Sequence, residues 1–325
     1  MLEIGIIGGA GYTAGELIRL LLNHPEVNIN FVYSTSNAGN KLHKVHKDLI
    51  GNTEISFTSQ INTKVDTLFL CLGHGNSTTF LENNNFSKNT KIIDLSNDFR
   101  LFADKKFEGK DFVYGLPELD KTVIKTAKYI ANPGCFATAL QLAILPLAAK
   151  GLLNNDIHIN AVTGATGAGT SLSATTHFTY RDNNFSHYKA FTHQHLGEIN
   201  QTVNQLQASF NAEINFVPNR GNFSRGIFAT TYTKYDGSLD DAIKIYKEYY
   251  KNAAFTFVSD EEIHLKQVVN TNKCLIHLAK HGTKLLITSA IDNLLKGASG
   301  QAVQNLNLMY DFEETLGLNL KASYF

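Results

Sequence analysis

The beginning of the chain joins an apolar run, a glycine-rich turn and a helical pattern without interruption. Leu2–Ile7 is mostly apolar, Gly8–Gly11 follows it directly, and Glu16–Asn23 has helical spacing. Pro25 disfavours helix in the residue before it, so we expect the helix to end there. Glycines between a strand and a helix let the backbone approach a pyrophosphate on the helix N-terminus. The sequence therefore predicts a dinucleotide site at this turn.

The glycine pattern fits two spacings. Gly9, Gly11 and Ala14 match the G-x-G-x-x-A dinucleotide fingerprint. Gly8, Gly11 and Gly15 match a looser variant of it. Both spacings place a glycine turn between a strand and a helix, which is the context that makes such a fingerprint meaningful.

The rest of the first half repeats the alternation of strand and helix. Further strand-like runs are Ile29–Tyr33, Val65–Leu72, Lys91–Leu95 and Tyr129–Ala131. Strands separated by helix-length segments indicate βαβ units and a parallel sheet with helices on both faces. This half predicts a Rossmann-type dinucleotide-binding domain.

The second half has a different character. A loop rich in Ser, Thr, Gly and Asn covers Gly164–Tyr188, and long loops inside compact domains are usually functional. The other predicted elements are strands at His158–Thr163 and Gly226–Tyr232, helices at Gly197–Phe210 and Leu239–Lys251, and a hairpin over Cys274–Lys280 and Lys284–Ile291. The chain of 325 residues is long enough for two domains, and we predict an α/β protein whose second domain is α+β.

Composition excludes several classes of protein. Lys+Arg 29 balances Asp+Glu 29, and no basic stretch suggests a nucleic-acid partner. No apolar run reaches the roughly 18–20 residues of a membrane span, and the N-terminus lacks the pattern of a signal peptide. The three cysteines are odd in number and far apart, which favours free thiols in a reducing compartment. We expect a cytoplasmic enzyme.

The end of the second predicted strand indicates the type of cofactor. An NAD-binding domain usually carries Asp or Glu there to hold the ribose hydroxyls. This chain has instead the polar run Ser34–Asn37, with Lys41 shortly after it. Hydroxyl, amide and ammonium groups can donate to a 2′-phosphate, which favours NADP. The alternative is that Ser34–Asn40 is only a polar turn.

Cys135 follows a Pro-Gly turn and opens the apolar helical segment Phe136–Lys150. A helix N-terminus carries partial positive charge, which stabilises a thiolate. Cys71 and Cys274 lie in apolar strand patterns and are predicted to be buried. Pro146 lies inside the predicted helix, so we expect a kink or an early end there. Cys135 is therefore the candidate nucleophile.

A reactive thiol needs a base or an orienting partner. His193 and His195, at the end of the polar loop, are the candidates. A His-x-His pair can also be half of a metal site, but no Cys-x-x-Cys or zincin-type helix accompanies it, so we predict no metal. His43 and His46 lie in a predicted loop and are expected to be solvated.

At this point the chain resembles a known family, the N-acetyl-γ-glutamyl-phosphate reductases of arginine biosynthesis. The strongest match surrounds Cys135, from Ile130 to Ala139 and on to Pro146. The other matching blocks are GYTAGEL from Gly11, DLSNDFR from Asp94, YGLPEL from Tyr114, HQHLGEI from His193 and IDNLLKGASGQAVQNLNLM from Ile291. Each block alone is weak, whereas their number and order are specific.

The resemblance implies reduction of an acyl phosphate through a thioester. The Cys135 thiolate would displace phosphate, and NADPH would reduce the resulting thioester to a semialdehyde. His195 would be the general acid/base and His193 would bind substrate, although the family pattern leaves the division between them open. Arg100 would hold the phosphoryl group, with Asn97 beside it in the same motif. The alternative for Arg100 is a surface ion pair with a nearby aspartate.

The resemblance also implies the remaining site residues and the domain limits. The expected NADP(H)-binding residues are Gly8, Gly11, Tyr12, Thr13, Ser34, Ser36, Gly167, Asn293, Lys296 and Gly297. Residues 1–133 with 294–325 would form the Rossmann-type domain, and residues 134–293 the catalytic and dimerisation α+β domain. The family implies a homodimer or homotetramer, with no nucleic-acid or membrane partner.

Three other functions remain open from the sequence. The first is the same step on N-succinyl intermediates, whose second charge would require another cation. The candidates for that cation are Arg181, Lys189, Arg220 and Arg225. The alternative is that none of them has this role. The second is the related aspartate-semialdehyde dehydrogenase reaction on a shorter acyl phosphate. The third is an NADP-binding regulatory protein without catalysis. The presence of Cys135 argues against this function.

Overall fold

The computed structural model describes residues 1–325, which divide into two compact units. The first unit contains residues 1–134 and 298–319, and the second contains residues 135–297 and 320–325. The domain limits expected from the sequence lay at 133/134 and 293/294, with the whole C-terminus in the first domain. The final residues instead lie with the second unit, where the Ser323 amide donates to the Val269 carbonyl at 3.0 Å.

The first unit is built on a parallel sheet. Its elements are β1 (Leu2–Ile7), α1 (Tyr12–Leu21), β2 (Val27–Tyr33), β3 (Phe57–Thr58), β4 (Thr67–Leu70), α2 (Asn76–Asn83), β5 (Lys91–Asp94), β6 (Lys106–Phe107), β7 (Lys110–Asp111), β8 (Val113–Tyr114), α3 (Pro117–Thr126) and β9 (Tyr129–Ala131). Seven of these strands form the parallel sheet in the order β3-β2-β1-β4-β5-β9-β8, whereas β6 and β7 form a separate hairpin.

Strand β1 lies at the point where the direction of the sheet order reverses. Ile4 pairs with Ile29 of β2 on one side and with Thr67 of β4 on the other. Ligands of open parallel sheets bind outside the carboxyl ends of the strands at such a point. The turn after β1 is therefore placed where a nucleotide site is expected, and the strand predicted at Leu2–Ile7 is confirmed.

The second unit is built on a mixed sheet. Its elements are α4 (Cys135–Ala149), β10 (Ile157–Thr163), α5 (Phe178–Arg181), β11 (Ser186–His187), α6 (His195–Leu206), β12 (Ile214–Arg220), β13 (Ile227–Lys234), α7 (Leu239–Tyr250), β14 (Thr256–Ser259), β15 (Cys274–His281) and β16 (Lys284–Ile291). The sheet order is β11-β12-β10-β13-β16-β15-β14, with parallel pairs only between β10 and β12 and between β14 and β15. The predicted α/β fold with an α+β second domain is confirmed.

The polar segment predicted as a loop over Gly164–Tyr188 is only partly irregular. It contains two short 3₁₀ turns, the one-turn helix α5 and the short strand β11. Strand β11 pairs Ser186 with Arg220 at the edge of the mixed sheet. A sequence rich in Ser, Thr and Asn carries little hydrophobic periodicity, so it gave no signal for these short elements, of which only β11 pairs with the sheet.

The sequence predicted a kink or an early end of helix α4 at Pro146, and the early end is wrong. The helix continues to Ala149 and is buried along nearly its whole length. A proline lacks the amide that would bond the carbonyl four residues earlier, here that of Leu142. The Tyr250 hydroxyl donates to this carbonyl at 2.5 Å and replaces the missing bond. A side chain from α7 thus makes the internal proline tolerable.

The last helix, α8 (Gly300–Met309), belongs to the first unit and is buried throughout. Ser299, just before it, donates its hydroxyl to the Thr13 carbonyl at 2.7 Å. Asn305 donates its side-chain amide to the Gly115 carbonyl at 2.9 Å. None of the helices in the structure has both the length and the apolar character needed to span a bilayer.

The role of Tyr250 gives a test of stability. Tyr250→Phe should lower the free energy of unfolding by about 1–3 kcal/mol, because it leaves the buried Leu142 carbonyl without a donor. Tyr246→Phe is the matched control, since the Tyr246 hydroxyl donates to the Ala143 carbonyl, which keeps the Leu147 amide as its helical donor. Urea unfolding monitored by circular dichroism measures both. Equal losses in the two variants would contradict the proline explanation.

Candidate active site

The glycine turn after β1 is shaped for close approach of a ligand. Gly8 has φ +78°, and a Cβ on it would lie 2.6 Å from the Cys71 carbonyl oxygen. Gly11 is extended, precedes the first residue of α1 and has open space where a side chain would be. The first amides of a helix have no intrahelical acceptor, so they are available to a ligand. The turn fits a pyrophosphate, which such amides and the helix dipole stabilise.

His46 contacts this turn, although the sequence predicted a solvated residue. Its Nε2 lies 2.7 Å from the Gly9 carbonyl oxygen. A Cβ on Gly15 would lie 2.6 Å from its Nδ1, so the imidazole packs directly on the backbone of α1. The prediction for His46 was wrong because the contact joins distant parts of the chain, and local polarity carries no signal of it.

Hydroxyl and amide groups lie at the end of β2. The Asn37 side-chain amide donates to the Ser34 hydroxyl at 3.2 Å and to the Ser36 hydroxyl at 3.1 Å. Lys41 donates to the Glu54 carbonyl at 2.7 Å and pairs with its carboxylate at 3.1 Å. The lysine charge is therefore partly compensated, and the remaining groups suited to a phosphate at this position are polar and neutral.

The other two residues predicted at the nucleotide turn differ in their surroundings. Tyr12, the first residue of α1, is 45% exposed. Thr13 follows it, and its carbonyl accepts the Ser299 hydroxyl bond, which joins α1 to the start of α8. Tyr12 therefore offers its side chain to solvent or to a ligand, whereas the Thr13 backbone takes part in packing.

Arg100 is buried, with only 5% of its surface exposed. Its Nε donates to the Asn132 carbonyl at 2.8 Å, and its Nη2 donates to the Leu95 carbonyl at 2.9 Å. The alternative of a surface ion pair is therefore wrong. The guanidinium holds the turn that leads into Cys135. Burial raises the pKa of the neighbouring Asp94 carboxyl to about 6, while hydrogen bonds from Ser77 and Ser96 and then the charge of Arg100 limit the rise.

Asn97 lies in the same motif and is half-buried. Its backbone amide donates to His74 Nδ1 at 3.2 Å. The Asn97 side-chain amide makes no hydrogen bond in the structure. It is therefore available to a polar ligand.

Cys135 is the first residue of α4 and is half-buried. A Cβ on Gly297 would lie 2.8 Å from the Cys135 Cβ and 3.2 Å from its Cα, so the Gly297 backbone packs directly against Cys135. Gly297 was predicted to line the nicotinamide, and the structure places it directly against the candidate nucleophile. Lys296, beside it, is fully buried.

The segment that carries Gly297 is fixed by Asp292. The buried Asp292 carboxylate pairs with Arg225, at 3.1 Å from Nε and 3.2 Å from Nη2. It also accepts the backbone amides of Leu294 and Asn270 at 2.8 and 2.7 Å. Arg225 is thus neutralised by a carboxylate of its own unit.

Asn293 and Gly167, both predicted to contact the cofactor, belong to a neighbouring network. Asn293 Oδ1 accepts the Gly226 amide at 2.7 Å, and its Nδ2 donates to the Thr166 hydroxyl at 3.0 Å. Gly167 follows Thr166, and a Cβ on it would lie 3.3 Å from the Thr163 hydroxyl. The glycine run therefore packs closely on the end of β10.

The two candidate histidines are adjacent and buried. The ring centres of His193 and His195 are 4.7 Å apart, and Phe136 of α4 packs edge-on against both. His193 Nδ1 accepts the His195 backbone amide at 3.2 Å. This bond requires an unprotonated Nδ1, so a neutral His193 carries its proton on Nε2.

The environment keeps His193 neutral. Burial, and then the positive charge of Lys189, lower the pKa of His193 to about 4. A general acid/base works best with a pKa near the operating pH. His193 is therefore suited to donating a hydrogen bond from Nε2, which leaves His195 as the better candidate for proton transfer.

Sequence reasoning missed Tyr188. Its ring centre lies 5.7 Å from that of His193, and the Arg220 guanidinium carbon lies 4.0 Å from the Tyr188 ring centre. Burial raises the pKa of the Tyr188 hydroxyl, with a further contribution from the negative charge of a Cys135 thiolate. The hydroxyl therefore stays protonated. No sequence pattern marked Tyr188, because its role depends on pairing next to β12.

The structure thus brings Cys135, His193, His195, Asn293, Lys296, Gly297 and Gly167 into the second unit, while Gly8, Gly11, Tyr12, Thr13, Ser34, Ser36, Asn97 and Arg100 belong to the first. No three or more His, Cys, Asp or Glu side chains are grouped so as to hold a metal ion. The second unit supplies a thiol and imidazoles for covalent chemistry, and the first supplies a dinucleotide turn.

Comparison of the whole chain with known structures shows the fold. Aspartate semialdehyde dehydrogenase II from Vibrio cholerae superposes with a TM-score of 0.70 at 14% identity, over 96% of this chain and 99% of that one. Aspartate semialdehyde dehydrogenase with NADP from Candida albicans gives 0.69 at 12% identity, over 95% and 99%. At these identities the likeness concerns the architecture alone.

Sequence comparison is more specific. Residues 3–127 match the family model of the semialdehyde dehydrogenase NAD binding domain, and residues 135–293 match that of the semialdehyde dehydrogenase dimerisation domain. N-acetyl-gamma-glutamyl-phosphate reductases from Christiangramia forsetii and Flavobacterium johnsoniae are 70% and 63% identical to this chain, over the full length of both proteins. That of Parabacteroides distasonis is 58% identical, also over its full length. The chain belongs to the N-acetyl-γ-glutamyl-phosphate reductase family.

Proposed function

We propose that this protein reduces N-acetyl-γ-glutamyl phosphate to N-acetylglutamate 5-semialdehyde and phosphate, with NADPH as the reductant, in arginine biosynthesis. The observation that carries the proposal is a half-buried Cys135 at the start of a helix, in a chain 70% identical to a reductase of that name. A binding protein has no use for a thiol presented in this way. The enzyme is an NADP-dependent oxidoreductase.

The cofactor fits the turn after β1. The amides at the start of α1 would hold the pyrophosphate, and the open space at Gly11 would permit its close approach. Ser34, Ser36 and Asn37 supply donors for the 2′-phosphate in place of a ribose-binding carboxylate. NADPH, when bound, supplies the hydride for reduction of the thioester.

Cys135 is the nucleophile of the proposed reaction. Its thiolate attacks the acyl carbon, the bond from that carbon to the phosphate oxygen breaks, and a thioester forms. After reduction, the C–S bond of the thiohemiacetal breaks, which releases the aldehyde and restores the thiolate. The N-terminus of α4 stabilises the thiolate, and contact with Gly297 fixes its position.

The two histidines have different proposed roles. His195 accepts the thiol proton and later acts on the thiohemiacetal oxygen as general acid and base. His193, kept neutral, donates a hydrogen bond from Nε2 to the substrate. Both roles agree with the burial of the two rings at the start of α6.

For the phosphoryl group we propose Asn97 and Arg100. The side-chain amide of Asn97 has no partner in the structure and can donate to a phosphoryl oxygen. Arg100 contributes its positive charge from a fixed position, since its Nε and Nη2 are held by the Asn132 and Leu95 carbonyls. The remaining predicted cofactor contacts are Gly8, Tyr12, Thr13, Gly167, Asn293, Lys296 and Gly297.

The enzyme is proposed to be a cytoplasmic homodimer or homotetramer. Residues 135–293 match a dimerisation domain. The segment between β10 and α6 exposes large apolar side chains, with Leu172 at 96%, Phe178 at 75% and Phe185 at 61% exposure, which an interface would cover. The three free thiols suit a reducing cytoplasm. A monomeric mass by light scattering would contradict the oligomer.

The function is tested by NADPH oxidation with enzymatically generated acylglutamyl phosphate. Turnover is expected with the N-acetyl substrate and not with aspartyl phosphate. NADPH should give a higher kcat/KM than NADH, because each lost hydrogen bond to the 2′-phosphate costs about 1.5–3 kcal/mol. Absence of turnover with both the N-acetyl and the N-succinyl substrate would support a regulatory protein. A preference for NADH would mean that Ser34–Asn40 is only a polar turn.

The nucleophile is tested by alkylation. Cys135 should react with iodoacetamide below about pH 8 and faster than Cys71 or Cys274, because a helix N-terminus favours its thiolate. Burial raises the pKa of the Cys71 thiol, which makes it the internal control. Mass spectrometry of peptides measures each rate. Cys135→Ser should lose nearly all turnover while NADPH binding persists, and near-normal turnover would refute the thioester.

The histidines are tested by pH dependence. His195→Asn should lower kcat by about 10²–10⁴-fold and remove an ionisation from the pH profile of kcat/KM. His193→Asn should raise the substrate KM and keep the shape of the profile between about pH 5.5 and 8, because the wild-type imidazole is already neutral there. The opposite pattern would exchange the two roles.

A second readout for His193 is stability. Its pKa in the folded protein is lowered from 6.5 to about 4, so the unfolded chain binds more protons between these values. The free energy of unfolding should therefore fall as pH decreases through this window, and less so in His193→Asn. If the free energy of unfolding depended on pH equally in wild type and His193→Asn, a residue other than His193 would take up the proton.

A further inference from the structure

Two arginines of the second unit lie at the same corner of the mixed sheet. Arg220 ends β12, and Arg181 ends α5. The Arg181 Nη2 donates to the carbonyl of Gly221, the residue after Arg220, at 2.8 Å. Strand β11 pairs Ser186 with Arg220 and closes the short connection between the two. Both arginines are half-buried, and the Arg181 guanidinium lies at the backbone of the residue that follows Arg220.

Neither of these guanidinium groups has a carboxylate as a partner. Arg19 pairs with Glu16 at 2.7 Å and Arg225 pairs with Asp292, whereas Arg181 and Arg220 form no ion pair in the structure. Two like charges that are partly removed from water repel each other. Burial, and then Arg220, lower the pKa of Arg181. An anion bound by both guanidinium groups would reduce the electrostatic repulsion between them.

The arginine pair is adjacent to the reacting residues. The Arg220 guanidinium stacks on the Tyr188 ring with 4.0 Å between its carbon and the ring centre. The other contact of this ring is His193, at 5.7 Å between ring centres. A single side chain thus separates Arg220 from the histidine proposed to bind substrate.

We propose that Arg181 and Arg220 form a binding site for a carboxylate of the acyl-phosphate substrate. This proposal rests on the proposed function. A guanidinium fork matches the two oxygens of a carboxylate. Stacking on Tyr188 fixes the plane of the Arg220 fork, and the bond to the Gly221 carbonyl fixes one nitrogen of Arg181. The pair is therefore preorganised for such a ligand.

Two other nearby cations are less suited to this role. Arg225 is neutralised by Asp292. Lys189 is exposed, and its ammonium donates to the Gln194 side-chain oxygen at 3.2 Å. The carboxylate itself has two possible sources, the α-carboxylate of the glutamyl group or a terminal carboxylate on a dicarboxylic N-acyl group such as succinyl.

The reverse reaction separates a carboxylate site from a phosphate site. With NADP, semialdehyde and inorganic phosphate as reactants, the KM values for the semialdehyde and for phosphate are measured independently. Arg220→Met and Arg181→Met should each raise the KM for the semialdehyde by about 10- to 100-fold, as expected for lost hydrogen bonds to a charged group. The KM for phosphate should stay unchanged, and Arg220→Lys should recover part of the loss.

The substrate series identifies the carboxylate. Loss with both N-acetyl and N-succinyl semialdehydes assigns the α-carboxylate, and loss confined to the N-succinyl compound assigns the acyl carboxylate. Arg19→Met is the matched control, since it removes the same charge from a pair in the first unit and should leave every KM unchanged. An unchanged semialdehyde KM in both Met variants, or a rise in the phosphate KM instead, would overturn the proposal.

A binding measurement keeps the test independent of turnover. N-acetylnorvaline and N-succinylnorvaline carry the same carboxylates without a reactive γ-carbonyl, and calorimetry measures their affinity for wild type and variants. Weaker binding by the Met variants, with thermal unfolding unchanged, supports the site. Equal affinity in all proteins overturns it. Absence of turnover by wild type would instead contradict the proposed function, whatever the binding result.

Discussion

The position of the nucleophile depends on a backbone contact that only glycine permits. Any side chain at Gly297 would collide with Cys135, because its first carbon would lie 2.8 Å from the cysteine Cβ. The segment that presents Gly297 is held by the Asp292 carboxylate, which accepts hydrogen bonds from three backbone amides and forms an ion pair with Arg225. A buried carboxylate is stable only when it is paired and hydrogen-bonded. Removing Arg225 would therefore disturb the support of the thiol.

The arginines of this protein show how tertiary contacts decide the use of a charge. Arg225 satisfies a buried carboxylate, and Arg100 donates to two backbone carbonyls beside the Cys135 turn. Arg181 and Arg220 lack an acid and remain available to an anion. All of them are fork-shaped donors of the same charge. The groups around each arginine therefore determine whether it has a structural role or a binding role.

The histidine pair illustrates the same point at shorter range. His193 and His195 are two residues apart, yet a backbone amide occupies Nδ1 of the first and fixes its tautomer. Burial beside Phe136, together with Lys189, keeps it neutral. The motif identified two imidazoles as candidates. The hydrogen bond and the desolvation distinguish their chemistry.

The sequence by itself determined the elements with strong local patterns. These include β1, the glycine turn, the hairpin of β15 and β16, and the presentation of Cys135 at a helix start, because periodicity, glycine spacing and turn residues are local properties. Only the tertiary structure decided the contacts between distant segments. The Tyr250 hydroxyl that sustains α4 past Pro146, the packing of His46 on the glycine turn and the pairing that places Arg220 near Arg181 all join residues far apart in sequence. Such contacts are set by the packing of whole elements, which leaves no mark on the sequence around either partner.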